Sequence, residues 1–174
     1  HGIIPTPDWK RMNFVDGDWN LGNTYHTSIG QYGFQITPLE LIRYISAIGN
    51  NGKLVTPHLL VSTFSTYPII DLNLNRDDLK YIKEGMRQVV MAGGTEPQLN
   101  IDGLKIAAKS GTAELGSKKL TVNSLITGYF PYDDPKYAFV IIMENGNIGN
   151  NSGSVQAAIP FMTYFRDHKI DYLK

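Results

Sequence analysis

Leu104-Lys105-Ile106-Ala107-Ala108, running into Lys109-Ser110-Gly111-Thr112-Ala113-Glu114, is the stretch on which the fold of this chain turns. The first half is short, apolar and preceded by the turn residues Asn100, Asp102 and Gly103, which predicts a strand over 104–108 with the polar cluster at or near its end. Strand alternation sends Lys109 and Gly111 to one face and Ser110 and Thr112 to the other, so the two hydroxyls project together and can grip one carboxylate. Gly111 has no Cβ, so a ligand can approach the backbone there, and the N–H of Thr112 is then placed to meet a developing oxyanion. An ammonium, two hydroxyls and an open stretch of backbone make this anion-binding equipment. Composition alone produces such a tetrapeptide in about one chain in a hundred of this size, so its weight depends on its surroundings.

Those surroundings are globular. At 174 residues and 42% hydrophobic content the chain fits one domain, 1–174, with a real core. Sixteen basic and sixteen acidic residues cancel without any block of like charge, which argues against a nucleic-acid groove and a polybasic membrane surface. The absence of cysteine excludes disulfides and thiolate metal sites. His26, His58 and His168 lack ligand spacing, so neither a metal nor a cofactor is expected. There is no run of eighteen apolar residues, and His1-Gly2-Ile3-Ile4-Pro5 is neither an initiator methionine nor a signal peptide, so the chain reads as cut from something longer.

From the N-terminus, His1 to Thr27 shows no sustained period and reads as an irregular packed segment. Ser28-Ile29-Gly30-Gln31-Tyr32-Gly33 leads into a marked helix start, with Thr37 as N-cap, Pro38 at the first position and Glu40 completing a capping box. Leu41, Ile42, Ile45 and Ile48 follow at helical spacing until Asn50-Asn51-Gly52. Lys53 to Phe64 holds short apolar, β-branched pieces, and Tyr67 to Asn75 is a turn-rich link. A second helix begins near Asn75 with Leu79, Ile82, Met86, Val89 and Val90 as its buried stripe, and Gly93-Gly94 ends it. Beyond the Lys109 cluster come a turn over 116–119, a strand over 124–130, and the strongest strand, 137–144, whose apolar faces place it mid-sheet. A Gly/Asn loop over 145–153 precedes a last helix carrying Val155, Ala158, Ile159, Met162 and Phe165. Short links between consecutive strands favour antiparallel pairing, so the plan is α+β: a central antiparallel sheet, three strands of it from this chain, with helices packed on both faces.

Taken in order, Ile4-Pro5-Thr6 with Trp9-Lys10, Gly22-Asn23-Thr24, Ser28-Ile29-Gly30-Gln31, Thr37-Pro38-Leu39, Lys109-Ser110-Gly111-Thr112 and Glu144-Asn145-Gly146 resemble the C-terminal part of the transpeptidase domain of class B penicillin-binding proteins. The opening and the Glu-Asn-Gly segment most resemble the elongation type, penicillin-binding protein 2. Two departures stand out. The family usually has Gly-Asp-Thr at residues 22–24, and it usually has glycine directly after Ile-Gly-Gln, where this chain has Tyr32 before Gly33. Of the three motifs such enzymes use, only K-[ST]-G is present: no serine precedes a lysine by three residues or an asparagine by two.

The resemblance implies a penicillin-binding/β-lactamase-like transpeptidase fold and a peptidoglycan D,D-transpeptidase that works through a serine acyl-enzyme and is the target of β-lactams. By family order the nucleophile, the S-x-N motif, two edge strands and a membrane anchor lie upstream of His1. It implies catalytic roles for Lys109 and Thr112 and substrate contacts from Ser110, Gly111, Thr112 and Ala113. Gln31 and Tyr32, at the glycine-flanked stretch before the first helix, are read from their own surroundings as cleft-lining candidates. Partners would be the N-terminal portion of the same domain, stem peptides, β-lactams, and the membrane glycosyltransferase and scaffold of the elongation complex, at the periplasmic side of the inner membrane. This chain alone is expected to be inactive, and not to persist without its N-terminal portion because its sheet edges would be unpaired. Two other readings are a transpeptidase-like binding module without a nucleophile, and a β-lactamase or β-lactam sensor.

Overall fold

The computed structural model describes residues 1–59, 67–116, 120–149 and 152–168. The expectations for residues 60–64, 117–119 and 150–151 lie outside that set. The chain divides into two compact units, 1–40 and 41–174.

In the first unit the segment read as irregular contains two short helices, α1 (Pro7–Asn13) and α2 (Leu21–Ser28). Each is set by its cap rather than by an apolar stripe, which is why periodicity misses it. Thr6 Oγ1 accepts from the Trp9 N–H at 3.1 Å with Pro7 at the first position. Asn20 and Asn23 exchange side-chain-to-backbone bonds of 3.0 Å in a capping box. Between the helices lies a buried ammonium: Lys10, 2% exposed, donates to the Asp18 carbonyl at 2.6 Å and to Asn23 Oδ1 at 3.2 Å, with Asp16 Oδ2 at 3.5 Å. Asn23, the departure from Gly-Asp-Thr, is thus a neutral ligand of a buried cation. The ends of the unit meet where the Glu40 carboxylate accepts from the N–H of Gly2 and the N–H and hydroxyl of Thr37. Those bonds hold its pKa down at about 2.

The expected capping box opens α3 (Pro38–Gly49): Thr37 Oγ1 accepts from the Glu40 N–H at 3.2 Å. Asn51 and Gly52, at φ 54° and 86°, end it in the left-handed region. In the second unit Ile45 and Ile48 are buried, with Leu41 half-buried beside them. A two-residue ribbon follows, β1 (Lys53–Leu54) antiparallel to β2 (Ile70–Asp71), the latter inside the stretch read as a turn-rich link. Asn75 caps α4 (Arg76–Val89), accepting from the N–H groups of Asp77 and Asp78. Leu79, Met86 and Val90 are buried as predicted, but Ile82 is 47% exposed. The neighbouring Lys83 turns inward in its place and donates to the Gly49 carbonyl at 3.2 Å.

The main sheet has the order β3 (Ala107–Leu115), β4 (Thr121–Phe130), β5 (Tyr137–Asn147), antiparallel throughout. Three predicted features move. The first strand starts at Ala107 because Lys105, at φ 47°, turns the chain through the left-handed region, so 104–106 precede the strand and 109–113 lie in its middle. Among the described residues the central strand is β4, and β5 lies at an edge despite its apolar faces. The stretch read as a loop from Asn145 continues β5 to Asn147 through a bulge, where Asn145 (φ 55°) donates its N–H to Asn123 Oδ1 at 3.0 Å.

Helices cover both faces. Ala107 and Tyr129 pack with Ile45, Ile48 and Met86 of α3 and α4, while Ala108, Ile126 and Phe139 pack with Val155, Ala158 and Met162 of α5 (Gly153–Asp167).

Candidate active site

The Lys109 cluster owes its accessibility to sheet order. β3 pairs with β4 on one side only, so the backbone along its other side forms an edge of the sheet among the described residues. Burial falls along the strand: Ala107 and Ala108 are buried, Ser110, Gly111 and Ala113 half-buried, and Lys109 and Thr112 exposed. The apolar start anchors the strand while the polar middle faces outward.

Register fixes the faces. Ser110 lies opposite Ile126, and Thr112 opposite Ser124, so both hydroxyl residues share the α5 face with buried Ala108. Lys109, opposite Thr127, and Gly111, opposite Leu125, share the other face with Ala107. The predicted separation of the four residues onto two faces is therefore met. Lys109 Nζ donates to the Ser110 carbonyl at 2.6 Å and forms no ion pair among the described residues, so its charge is uncompensated at the strand's surface. A Cβ at Gly111 would meet nothing closer than Leu125 at 3.8 Å, so the glycine leaves open space beside the backbone. Such a strand offers one cation, two hydroxyls on a common face and an unobstructed main chain, which suits a carboxylate or a carbonyl gaining negative charge.

Three supports were missed from sequence. Arg87 of α4 donates to the carbonyl of fully buried Ile106 at 2.7 Å and to Asn100 Oδ1 at 3.3 Å, clamping the approach to β3. The Tyr132 N–H holds the Lys105 carbonyl at 2.7 Å. Gly128 of β4 lies directly behind, where a Cβ would come within 2.2 Å of the Ala107 carbonyl oxygen. No pattern marks Arg87 or Tyr132, whose contacts are long-range; a glycine inside an otherwise β-branched and aromatic strand does signal close backbone approach. Behind Thr112, the Ser124 and Ser154 hydroxyls bond at 2.8 Å and the Ser154 N–H donates to Ser124 Oγ at 3.2 Å, tying β4 to the start of α5.

Gln31 and Tyr32 belong to the first unit and Lys109 to Ala113 to the second. Gln31 is exposed. Tyr32 takes the left-handed conformation itself at φ 59°, as does Gly33 at 74°, so the bend begins at the position where the family has glycine. Its ring packs against Trp9, Phe14 and Trp19 at centroid distances of 5.9–6.1 Å, contacts that hold the strained backbone.

Comparison with known proteins bears on the family and the fold. A family model described as the penicillin-binding protein transpeptidase domain matches residues 2–162. The peptidoglycan D,D-transpeptidase MrdA of Acinetobacter baumannii is 31% identical over 94% of this chain and 27% of its own length. Among solved structures, penicillin-binding protein 2 of Helicobacter pylori superposes with a TM-score of 0.77 at 30% identity, covering 97% of this chain and 31% of that one. The same kind of protein in complex with MreC gives 0.71 at 31% identity, covering 94% and 31%. The chain spans less than a third of the length of each of these relatives.

Proposed function

We propose, from the premise that this chain belongs to the penicillin-binding protein transpeptidase family, that it forms part of a peptidoglycan D,D-transpeptidase of wall elongation and supplies the electrophile's side of the active site. The observation that carries the reading is the edge position of β3, with Lys109, Ser110 and Thr112 at its outward-facing middle.

In this reading a serine outside residues 1–174 attacks the penultimate D-Ala carbonyl of a stem peptide, and the carbonyl oxygen takes up negative charge. The Thr112 N–H receives that charge as one of two donors; losing such a donor costs serine hydrolases about 2.7–4 kcal/mol. Collapse of the intermediate breaks the peptide bond, the departing D-Ala amine takes a proton, and an ester remains. An amine of a neighbouring strand then attacks the ester and restores the serine. Ser110 and Thr112 hydroxyls hold the terminal carboxylate of peptide or β-lactam, beside backbone left open by Gly111 and Ala113. Lys109 adds positive charge toward the S-x-N serine. Gln31 and Tyr32 line the cleft in the assembled domain, and this chain by itself is inactive.

Partners in this reading are the rest of the domain, stem peptides, β-lactams, a membrane glycosyltransferase and a scaffold protein, the last suggested by the relative solved with MreC. The setting is the periplasmic face of the inner membrane. The test is acylation of the full-length polypeptide by a fluorescent penicillin. The reading expects a stable adduct whose formation slows when Ser110 or Thr112 is replaced by alanine; adduct formation indifferent to both replacements would overturn the assignment of β3.

A further inference from the structure

A cluster of cations lies away from the Lys109 strand. An open cavity of about 870 Å³ is bounded by the end of α3, the β1–β2 ribbon, the first turns of α4 and the link between β4 and β5. Lys53, Arg76, Lys80 and Lys83 line it, and none of the four forms an ion pair among the described residues. Two carboxylates also line it, and both are engaged. Asp133 is bridged to Lys105, outside the cavity, and Asp71 accepts from the Asn73 N–H at 2.9 Å. The positive charge of the cavity therefore exceeds its negative charge by two before the Lys105 bridge is counted, four cations against two carboxylates.

Lys83 gives the cluster its inner anchor. Its ammonium is half-buried, donates to the Gly49 carbonyl at 3.2 Å and Asn51 Oδ1 at 3.1 Å, and sits 5.9 Å from the centroid of the Tyr129 ring. All three partners are neutral. Loss of hydration at this position lowers the Lys83 pKa, which is the cost of holding a cation there without a counter-charge. An anion entering the cavity would supply the missing charge through charge-assisted hydrogen bonds.

We propose that this cavity is a binding site for a small polyanion bearing phosphate or carboxylate groups, separate from the β3 site. Its cations come from two elements, Arg76, Lys80 and Lys83 from α4 and Lys53 from the ribbon, so a ligand with two or more charged groups can satisfy several at once. Binding at this site does not depend on the transpeptidase reading and needs no acylation.

The test is titration of the full-length polypeptide with pyrophosphate, and separately with citrate, at fixed ionic strength set by sodium chloride, followed by calorimetry. Saturable binding is expected, weakening as salt is raised. Replacing the exposed pair, Arg76→Gln with Lys80→Gln, keeps the Lys83 contacts and should weaken binding by about two- to fivefold per cation removed. Preference for pyrophosphate assigns a phosphate-bearing ligand, and preference for citrate a carboxylate-bearing one. No saturable binding of either anion, or binding unchanged in the double variant with an unaltered melt, would overturn the proposal.

Discussion

Gly128→Ala should damage the candidate site from behind without touching it. A Cβ at this position would sit 2.2 Å from the Ala107 carbonyl oxygen, 2.9 Å from Ala108 Cα and 2.9 Å from Phe139 Cε1. Two of those atoms are backbone and cannot swing aside. Restoring an ordinary carbon–oxygen separation of about 3.3 Å requires β3 to move outward by roughly 1 Å. Overpacking of this kind costs about 1–3 kcal/mol, and each ladder hydrogen bond it weakens adds about 0.5–1.5 kcal/mol. Less the small entropic gain of Gly→Ala, the net is about 2–3 kcal/mol, or a Tm lowered by roughly 4–12 °C for a domain of this size. A displacement of about 1 Å at reacting groups can also slow the chemistry about a hundredfold. The assay is a thermal melt and penicillin acylation of the full-length polypeptide, run beside Gly111→Ala. That control has its nearest neighbour at 3.8 Å and an ordinary φ, so it should melt like the wild type while still slowing acylation by obstructing the open backbone. A Gly128→Ala protein that melts and acylates like the wild type would show that β3 is not held in place by its close approach to Gly128.

Other expectations follow from single contacts. Ser110→Ala and Thr112→Ala each remove a hydrogen bond to a carboxylate, about 1.5–3 kcal/mol, so acylation should slow roughly ten- to a hundredfold with the melt unchanged. Arg87→Met strips the charged donor from the buried Ile106 carbonyl; a loss of about 1–3 kcal/mol should appear as a lower denaturant midpoint at unchanged slope. Glu40 has a folded pKa of about 2, below its ordinary 4.5, so its stabilising effect is complete above pH 4.5 and is lost as pH falls toward 2. Melts of wild type and Glu40→Gln should therefore differ at pH 6 and converge near pH 2, whereas a constant difference would contradict the assignment.

What could be read in advance was whatever local chemistry determines. The Thr37-Pro38-Leu39-Glu40 start of α3 and the Asn75 cap of α4 are written in adjacent residues, and both form as read. The face alternation of Lys109 to Thr112 is likewise a property of any strand, and the register bears it out. Sheet order was not legible: an apolar β5 reads as central, yet which strand has two neighbours depends on pairings between distant segments. The caps of α1 and α2, at Thr6-Pro7 and Asn20, went unread because helices of two turns have no room for an apolar stripe to mark them. Ile82 and Lys83 show the same limit. Periodicity chose the apolar residue for the interior, and the long stem and amine of Lys83 won the place because they reach the end of α3. The supports of the candidate site, Arg87, Tyr132 and Gly128, act across 19 residues or more, or through the backbone, where sequence offers little beyond the isolated glycine.

The most direct test of the central claim is mass spectrometry of the full-length polypeptide after incubation with a penicillin, with peptides mapped. A single drug adduct is expected on a serine outside residues 1–174, forming more slowly in Ser110→Ala and Thr112→Ala proteins. A folded protein that gains no drug mass, or one whose adduct forms at the same rate whatever stands at Ser110 and Thr112, would contradict it.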